Sequence, residues 1–222
     1  MQNLNPSDAF EEPLEMFALQ RFGNKSGSGV HDKGQKRVKA ILKVAIDLLL
    51  VEGFSDFSMR RVANTVGVNL SAVQFYFPTR DDLLRAIAKF VSYQYEAQQQ
   101  RVIGADYATP LERFEAYLDF SLVRVRDQLG YYMFLGEAQS GSDIFAEACR
   151  EVYTLDVVVL SQLLAPLLPD ASQIEIKQRA AFMSAAIDGL EIYLKESPQL
   201  APVIPDIYEY GKNMLLKMAK NA

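Results

Sequence analysis

Leu70, Ser71, Gln74 and Phe75 share one short stretch with Val73 and Phe77, which lie four apart and form its inward apolar face. The outward face then mixes small and polar groups with an exposed Leu and an exposed Phe. A helix that merely faces water gains nothing from that mixture. A helix that enters the DNA major groove does, because Gln and Ser hydrogen-bond base edges while apolar groups touch thymine methyls. An ordinary helical hairpin with a scattered surface is the plainer alternative, since the two-helix pattern is loosely defined.

The elements that must hold this stretch are legible on both sides of it. Ser58 is an N-cap, its hydroxyl placed to accept from a first-turn amide. Val62, Ala63 and Val66 give the helix after it one apolar face. Gly67 stands where that helix must stop, Val68 plugs the corner, and Asn69 is placed to cap the second helix. Upstream, Val38, Ile41, Leu42, Ala45, Leu48 and Leu49 predict a helix over 34–52 that stops at Gly53. Phe54 and Phe57 would close the small core of a three-helix head. Lys33, Lys36, Arg37 and Lys39 cluster at the start of the first helix, either as a solvated face or as phosphate contacts. Downstream, Pro78 ends the second motif helix. Thr79 restarts the chain as an N-cap, with Asp81 and Asp82 where the helix dipole favours negative charge. Leu83, Leu84, Ile87, Phe90 and Val91 then predict a long connecting helix to about residue 102.

Gly53-Phe54, Ser58, Val62-Ala63, Gly67-Val68, Tyr76-Phe77-Pro78-Thr79-Arg80 and Leu83-Leu84 together resemble the tetracycline-repressor (TetR) family of bacterial transcription regulators. The resemblance covers roughly 36–88; beyond it only the all-helical length and Asp188-Gly189-Leu190 look similar. It implies a homodimer on a palindromic operator, with the Asn69–Phe77 helix of each protomer in a major groove. It also implies that Ser58, Tyr76, Thr79 and Arg80 position the head on phosphate. Asn69 would lead a reading helix whose Leu70, Ser71, Gln74 and Phe75 touch bases. Repression is the family's commoner outcome. Two positions depart from the pattern: the family usually carries Tyr where this chain has Gln74, and His is common where Tyr76 stands. Gln74 is therefore free to read a base, and Tyr76 still offers a hydroxyl to the backbone.

The chain has 222 residues, half of them hydrophobic, enough for a sizeable core. The net charge of −5 is unevenly spread. Residues 31–90 carry ten Lys and Arg against six Asp and Glu, whereas 91–222 carry eleven against eighteen and 1–30 two against four. A basic head on an acidic body is the footprint of DNA reading. The expected divisions are a flexible N-terminal tail at 1–30, with an amphipathic turn near Leu14, Phe17 and Ala18, a DNA-binding head at 31–80 and a ligand-binding and dimerisation body at 81–222. No apolar run spans a bilayer and the acidic N-terminus lacks a signal-peptide pattern, so a cytoplasmic protein is expected, away from membranes. One Cys and one His exclude an intrachain disulfide and leave no basis for a structural zinc site. Cys149 reads as a packing residue.

No catalytic residues, metal or cofactor are expected. The single His lies in a linker, so no Ser-His-Asp set exists, and no Gly-rich loop sits between a strand and a helix. A helical interaction or small-molecule-binding module without DNA binding is the remaining alternative; it explains the helices but not the basic head. The body predicts helices over 109–128, 130–139, 143–168 (bent or ended by Pro166), 172–196 and 205–220. Phe114, Tyr117, Phe120, Tyr131, Tyr132, Phe134, Phe145 and Tyr153 concentrate rings there, several with hydroxyls, the combination found in small-molecule pockets. Asp156 falls on the apolar stripe of Val152, Val159 and Leu163, so its carboxylate needs a partner, Arg124, Arg126 or a ligand group. These nine residues are the expected site of a small, largely apolar effector. Ala181, Ala185 and Gly189 form a small-residue stripe on a helix apolar nearly all round, with Tyr210 and Met214 on the last helix beside it. Such a helix must be covered on two sides, by the body and a partner chain in a homodimer, the expected arrangement, or wholly by the body as the central helix of a monomer, the plainer alternative.

Overall fold

Helical periodicity dominates the sequence, and the computed structural model follows it: the structure describes residues 30–127, 143–196 and 206–220, with no strand among them. The expected helices near residues 8–22 and 130–139 lie outside the described residues, as do Tyr131, Tyr132 and Phe134. Helix α1 (Val30–Asp56) buries Val38, Ile41, Leu42, Ala45, Ile46 and Leu49. The expected stop at Gly53 is present as a kink: φ 76°, ψ 177° takes the chain out of the helix, and a last turn runs on to Asp56. A residue with a Cβ would resist that backbone. Two short helices follow, α2 (Met59–Val66) and α3 (Leu70–Tyr76), and then the long α4 (Arg80–Ile103). The body supplies α5 (Pro110–Asp127), α6 (Asp143–Leu164), α7 (Gln173–Glu196) and α8 (Ile207–Met218). Pro166 has no N–H to continue α6, which tightens into a 3₁₀ turn over Ala165–Leu167. Among the described residues no helix is long and apolar enough to cross a membrane.

The described residues gather into two units, 30–96 with 143–149, and 97–127 with 150–196 and 206–220. In the first unit α1 packs on α2 and α2 on α3. Its buried side chains include Phe57, Val62, Ala63, Val73, Phe77, Leu83, Leu84, Ile87 and Phe90. Phe145 belongs to this unit, edge-on to Phe54 with ring centroids 5.0 Å apart, and Cys149 is buried as a packing residue should be. In the second unit α5 packs on α7 and α8, and α8 packs on α7. Phe114, Tyr117, Leu118, Val159, Leu160, Leu164, Ala180, Met183 and Leu215 form its core.

Candidate nucleic-acid interface

The turn between α2 and α3 is built by local chemistry. Ser58 takes extended backbone angles and its Oγ accepts from the Arg61 amide at 3.3 Å, satisfying one of the amides that a helix start leaves open. At the other end Gly67 is left-handed (φ 78°, ψ 34°) and its N–H donates to the carbonyls of Ala63 and Asn64. The Val68 N–H donates to the Ala63 carbonyl at 2.9 Å, completing a Schellman stop. Three residues separate the end of α2 from the start of α3. Arg61 reaches back from α2 to the Glu52 carboxylate on α1; this hydrogen bond and the carboxylate's charge raise the guanidinium pKa further, so it stays a cation.

Helix α3 has two unlike faces. Val73 and Phe77 are fully buried, as their spacing predicts. Ser71, Gln74 and Phe75 are exposed, Phe75 to 79%, and Leu70 is half-buried at the first position. The Phe75 ring stands edge-on to Tyr76, centroids 5.0 Å apart. Tyr76 is half-buried, with its hydroxyl close to Gly34 near the start of α1: a Cβ there would lie 3.7 Å from the oxygen. Asn69 holds the N-cap position with extended backbone angles, but its side chain makes no cap hydrogen bond. Its carbonyl, rather than its amide side chain, closes the first turn by accepting from the Ala72 N–H at 3.0 Å. Asn69 instead lines a shallow surface hollow with Arg37, Asn64, Gly67 and Val68. Lys36 and Arg37 are exposed on α1.

Two residues expected on phosphate have intramolecular duties. The Arg80 guanidinium donates to the Phe54 carbonyl at 2.7 Å and the Phe57 carbonyl at 3.3 Å, and lies 5.7 Å from the centre of the Phe57 ring. It ties the start of α4 to the chain that leaves α1. The Thr79 hydroxyl donates to Asp82 Oδ2 at 2.7 Å and accepts from the Asp82 amide at 3.1 Å, while the Thr79 N–H donates to the same carboxylate at 3.0 Å. This reciprocal capping box follows from an acidic side chain three residues after the cap. The spacing Thr79 to Asp82 was its signal in the sequence.

The rings expected around an effector are distributed over both units. Phe145 lies in the first, against Phe54. Phe114 and Tyr117 are buried in the second, where Phe120 is half-buried 6.2 Å from Tyr117, and Tyr153 is half-buried as well. Asp156 is only 4% exposed. Gln99 Nε2 donates to Tyr117 Oη at 2.9 Å and to Asp156 Oδ1 at 3.0 Å, and the Tyr117 hydroxyl donates to the same Asp156 oxygen at 3.3 Å. Gln99 is a polar residue that sequence reading missed. Its signal was position: it lies four residues after buried Tyr95 and eight after buried Val91 on α4. The side chains of Arg124 and Arg126 lie outside the described residues.

Helix α7 is covered on one side. Ile176, Ala180, Met183 and Ile187 are buried, whereas Ala181, Phe182, Ala185, Ala186 and Gly189 are exposed, Phe182 to 63%. No atom lies within 4 Å of where a Gly189 Cβ would be. Tyr210 and Met214 on α8 are exposed too, and α8 meets α7 near Leu190, whose Cδ2 lies 3.6 Å from a Cβ placed at Gly211.

Residues 41–87 match the family model of bacterial regulatory proteins, tetR family. Over 56 residues the chain is 43% identical to an uncharacterized HTH-type transcriptional regulator from Xanthobacter autotrophicus; that stretch covers 25% of this chain and 28% of the relative. The fold is similar to a TetR transcription regulator from Haloarcula marismortui (TM-score 0.68, 18% identity, covering 83% of this chain and 96% of that one). It is also similar to AibR, solved in complex with isovaleryl coenzyme A and operator DNA (TM-score 0.59, 17% identity, covering 82% and 97%). The capped α2, the left-handed Gly67 and the two-faced α3 all lie inside the residues that match the tetR-family model.

Proposed function

We propose that this chain is a ligand-responsive transcriptional repressor that binds a palindromic operator as a homodimer. The observation that carries the reading is α3 itself: Val73 and Phe77 are fully buried while Ser71, Gln74 and the Phe75 ring stand in water. Residues 31–80 act as the DNA-reading head and 81–222 as the body for effector and dimerisation. Lys36 and Arg37 attract phosphate from α1, and the Ser58 hydroxyl, which only accepts within its cap, keeps its proton for a phosphate oxygen. Tyr76 adds a hydroxyl at the edge of the groove. Thr79 and Arg80 contribute by holding the head's shape. The exposed sides of α7 and α8 form the dimer face, with Ala181, Ala185 and Gly189 allowing close approach and Tyr210 and Met214 beside them. A two-fold protein matches a two-fold operator.

The effector site is assigned to the second unit, where Tyr117, Asp156 and Gln99 gather polar groups inside an apolar core with Phe114 and Phe120 close in sequence. The solved complex of AibR with a small molecule and operator DNA supports a fold that serves both. Effector binding favours a head spacing that no longer fits the operator. A gel shift with the purified chain on DNA upstream of its own gene, combined with light scattering, tests the reading. A retarded complex of two protomers per operator is expected; no retardation at low salt would refute it.

A further inference from the structure

Helix α3 reads Leu-Ser-Ala-Val-Gln-Phe-Tyr from Leu70 to Tyr76 and carries no charged side chain. Guanine presents two acceptors, O6 and N7, to the major groove, and the side chains that satisfy both are Arg and Lys. The head's cations lie elsewhere: Lys33, Lys36, Arg37, Lys39 and Lys43 on α1, Arg60 and Arg61 on α2, and Arg61 is paired with Glu52. Arg80 is turned onto the Phe54 and Phe57 carbonyls. Gln74, exposed on α3, has one amide donor group and one carbonyl acceptor, which match adenine N7 and N6–H₂ together. Against guanine the same carbonyl would face O6, an acceptor against an acceptor. Phe75 leaves an apolar ring 79% exposed, and thymine C5-methyl is the apolar feature that a major-groove edge displays.

We infer that the operator half-site is read through A·T base pairs, an adenine opposite Gln74 and a thymine methyl against the Phe75 ring. The inference rests on α3 being the DNA-reading helix. The test selects duplexes from a random pool with the full chain, then compares the selected site with versions in which single thymines become uracil. A core of A·T pairs is expected, with one thymine whose replacement weakens binding about fourfold, the worth of one buried methyl-sized group. Phe75→Ala should no longer distinguish thymine from uracil there. Gln74→Ala should lose about ten- to a hundredfold of preference at one adenine. A selected core of G·C pairs, or equal affinity for thymine and uracil at every position, overturns the inference while DNA binding itself stands. Uracil sensitivity that persists in Phe75→Ala also overturns the role of that ring. A pool from which no sequence is enriched removes the DNA-reading role of α3, and the inference with it.

Discussion

Arg80→Met separates a brace from a phosphate contact. In the structure the guanidinium makes one short hydrogen bond, 2.7 Å to the Phe54 carbonyl, one long one, 3.3 Å to the Phe57 carbonyl, and a cation–π contact at 5.7 Å. A hydrogen bond to a charged group contributes about 1.5–3 kcal/mol, and a partly exposed cation–π contact about 0.5–1 kcal/mol. Arg80 is half-buried, so water can reach the two carbonyls once the guanidinium is gone, which discounts the sum. Met keeps the apolar stem. The expected loss is about 2 kcal/mol, a fall of roughly 4–8 °C in Tm for a protein of this size. Thermal unfolding followed by circular dichroism measures it. In parallel, the salt dependence of operator binding reports phosphate contacts, each worth a slope of about 0.9 in log K against log salt. The brace predicts lower stability with the slope unchanged. Unchanged Tm with a slope reduced by about 0.9 per protomer would refute the reasoning and put Arg80 on the backbone of DNA.

Other substitutions probe the turn, the dimer face and the body. At Gly67 a Cβ meets no atom within 4 Å, so Gly67→Ala should cost only the left-handed backbone penalty, about 1–2 kcal/mol by urea unfolding, and Gly67→Asn less. Gly189→Trp, on the exposed side of α7, should leave the protomer folded by circular dichroism, produce a monomer in light scattering and weaken operator binding; a dimer of native affinity would place the interface elsewhere. Asp156→Ala strips the buried acceptor from Gln99 and Tyr117 and should abolish induction while ligand-free operator binding persists, as read in a reporter assay; Tyr132→Ala, at a position outside the described residues, should act the same way.

Much of the helix-turn-helix was legible because its determinants are contiguous. The Ser58 cap, the Gly67 stop and the inward pair Val73 and Phe77 depend on neighbours within one or two turns, and the structure places each where spacing predicts. The ends of α1, α4 and α6 follow the same local logic of glycine, cap and proline. Asn69 marks the limit: its type suits a cap, yet its side chain leaves the cap unmade.

The amino-acid sequence by itself therefore determined the helical class, the helix-turn-helix and the uncharged outward face of α3, because helix periods and caps are short-range physics. Only the tertiary structure decided who meets whom. Arg80 finds carbonyls 23 and 26 residues earlier, and Gln99 finds Tyr117 and Asp156 across separations of 18 and 57. Phe145, grouped by composition with the effector rings, is turned to Phe54 in the first unit. Periodicity says that a face is apolar; it does not say what covers it. On α7 packing answered for one side with Ala180, Met183 and Ile187, and left Ala181, Ala185 and Gly189 in water, because a helix apolar all round has more surface than one neighbouring layer can bury.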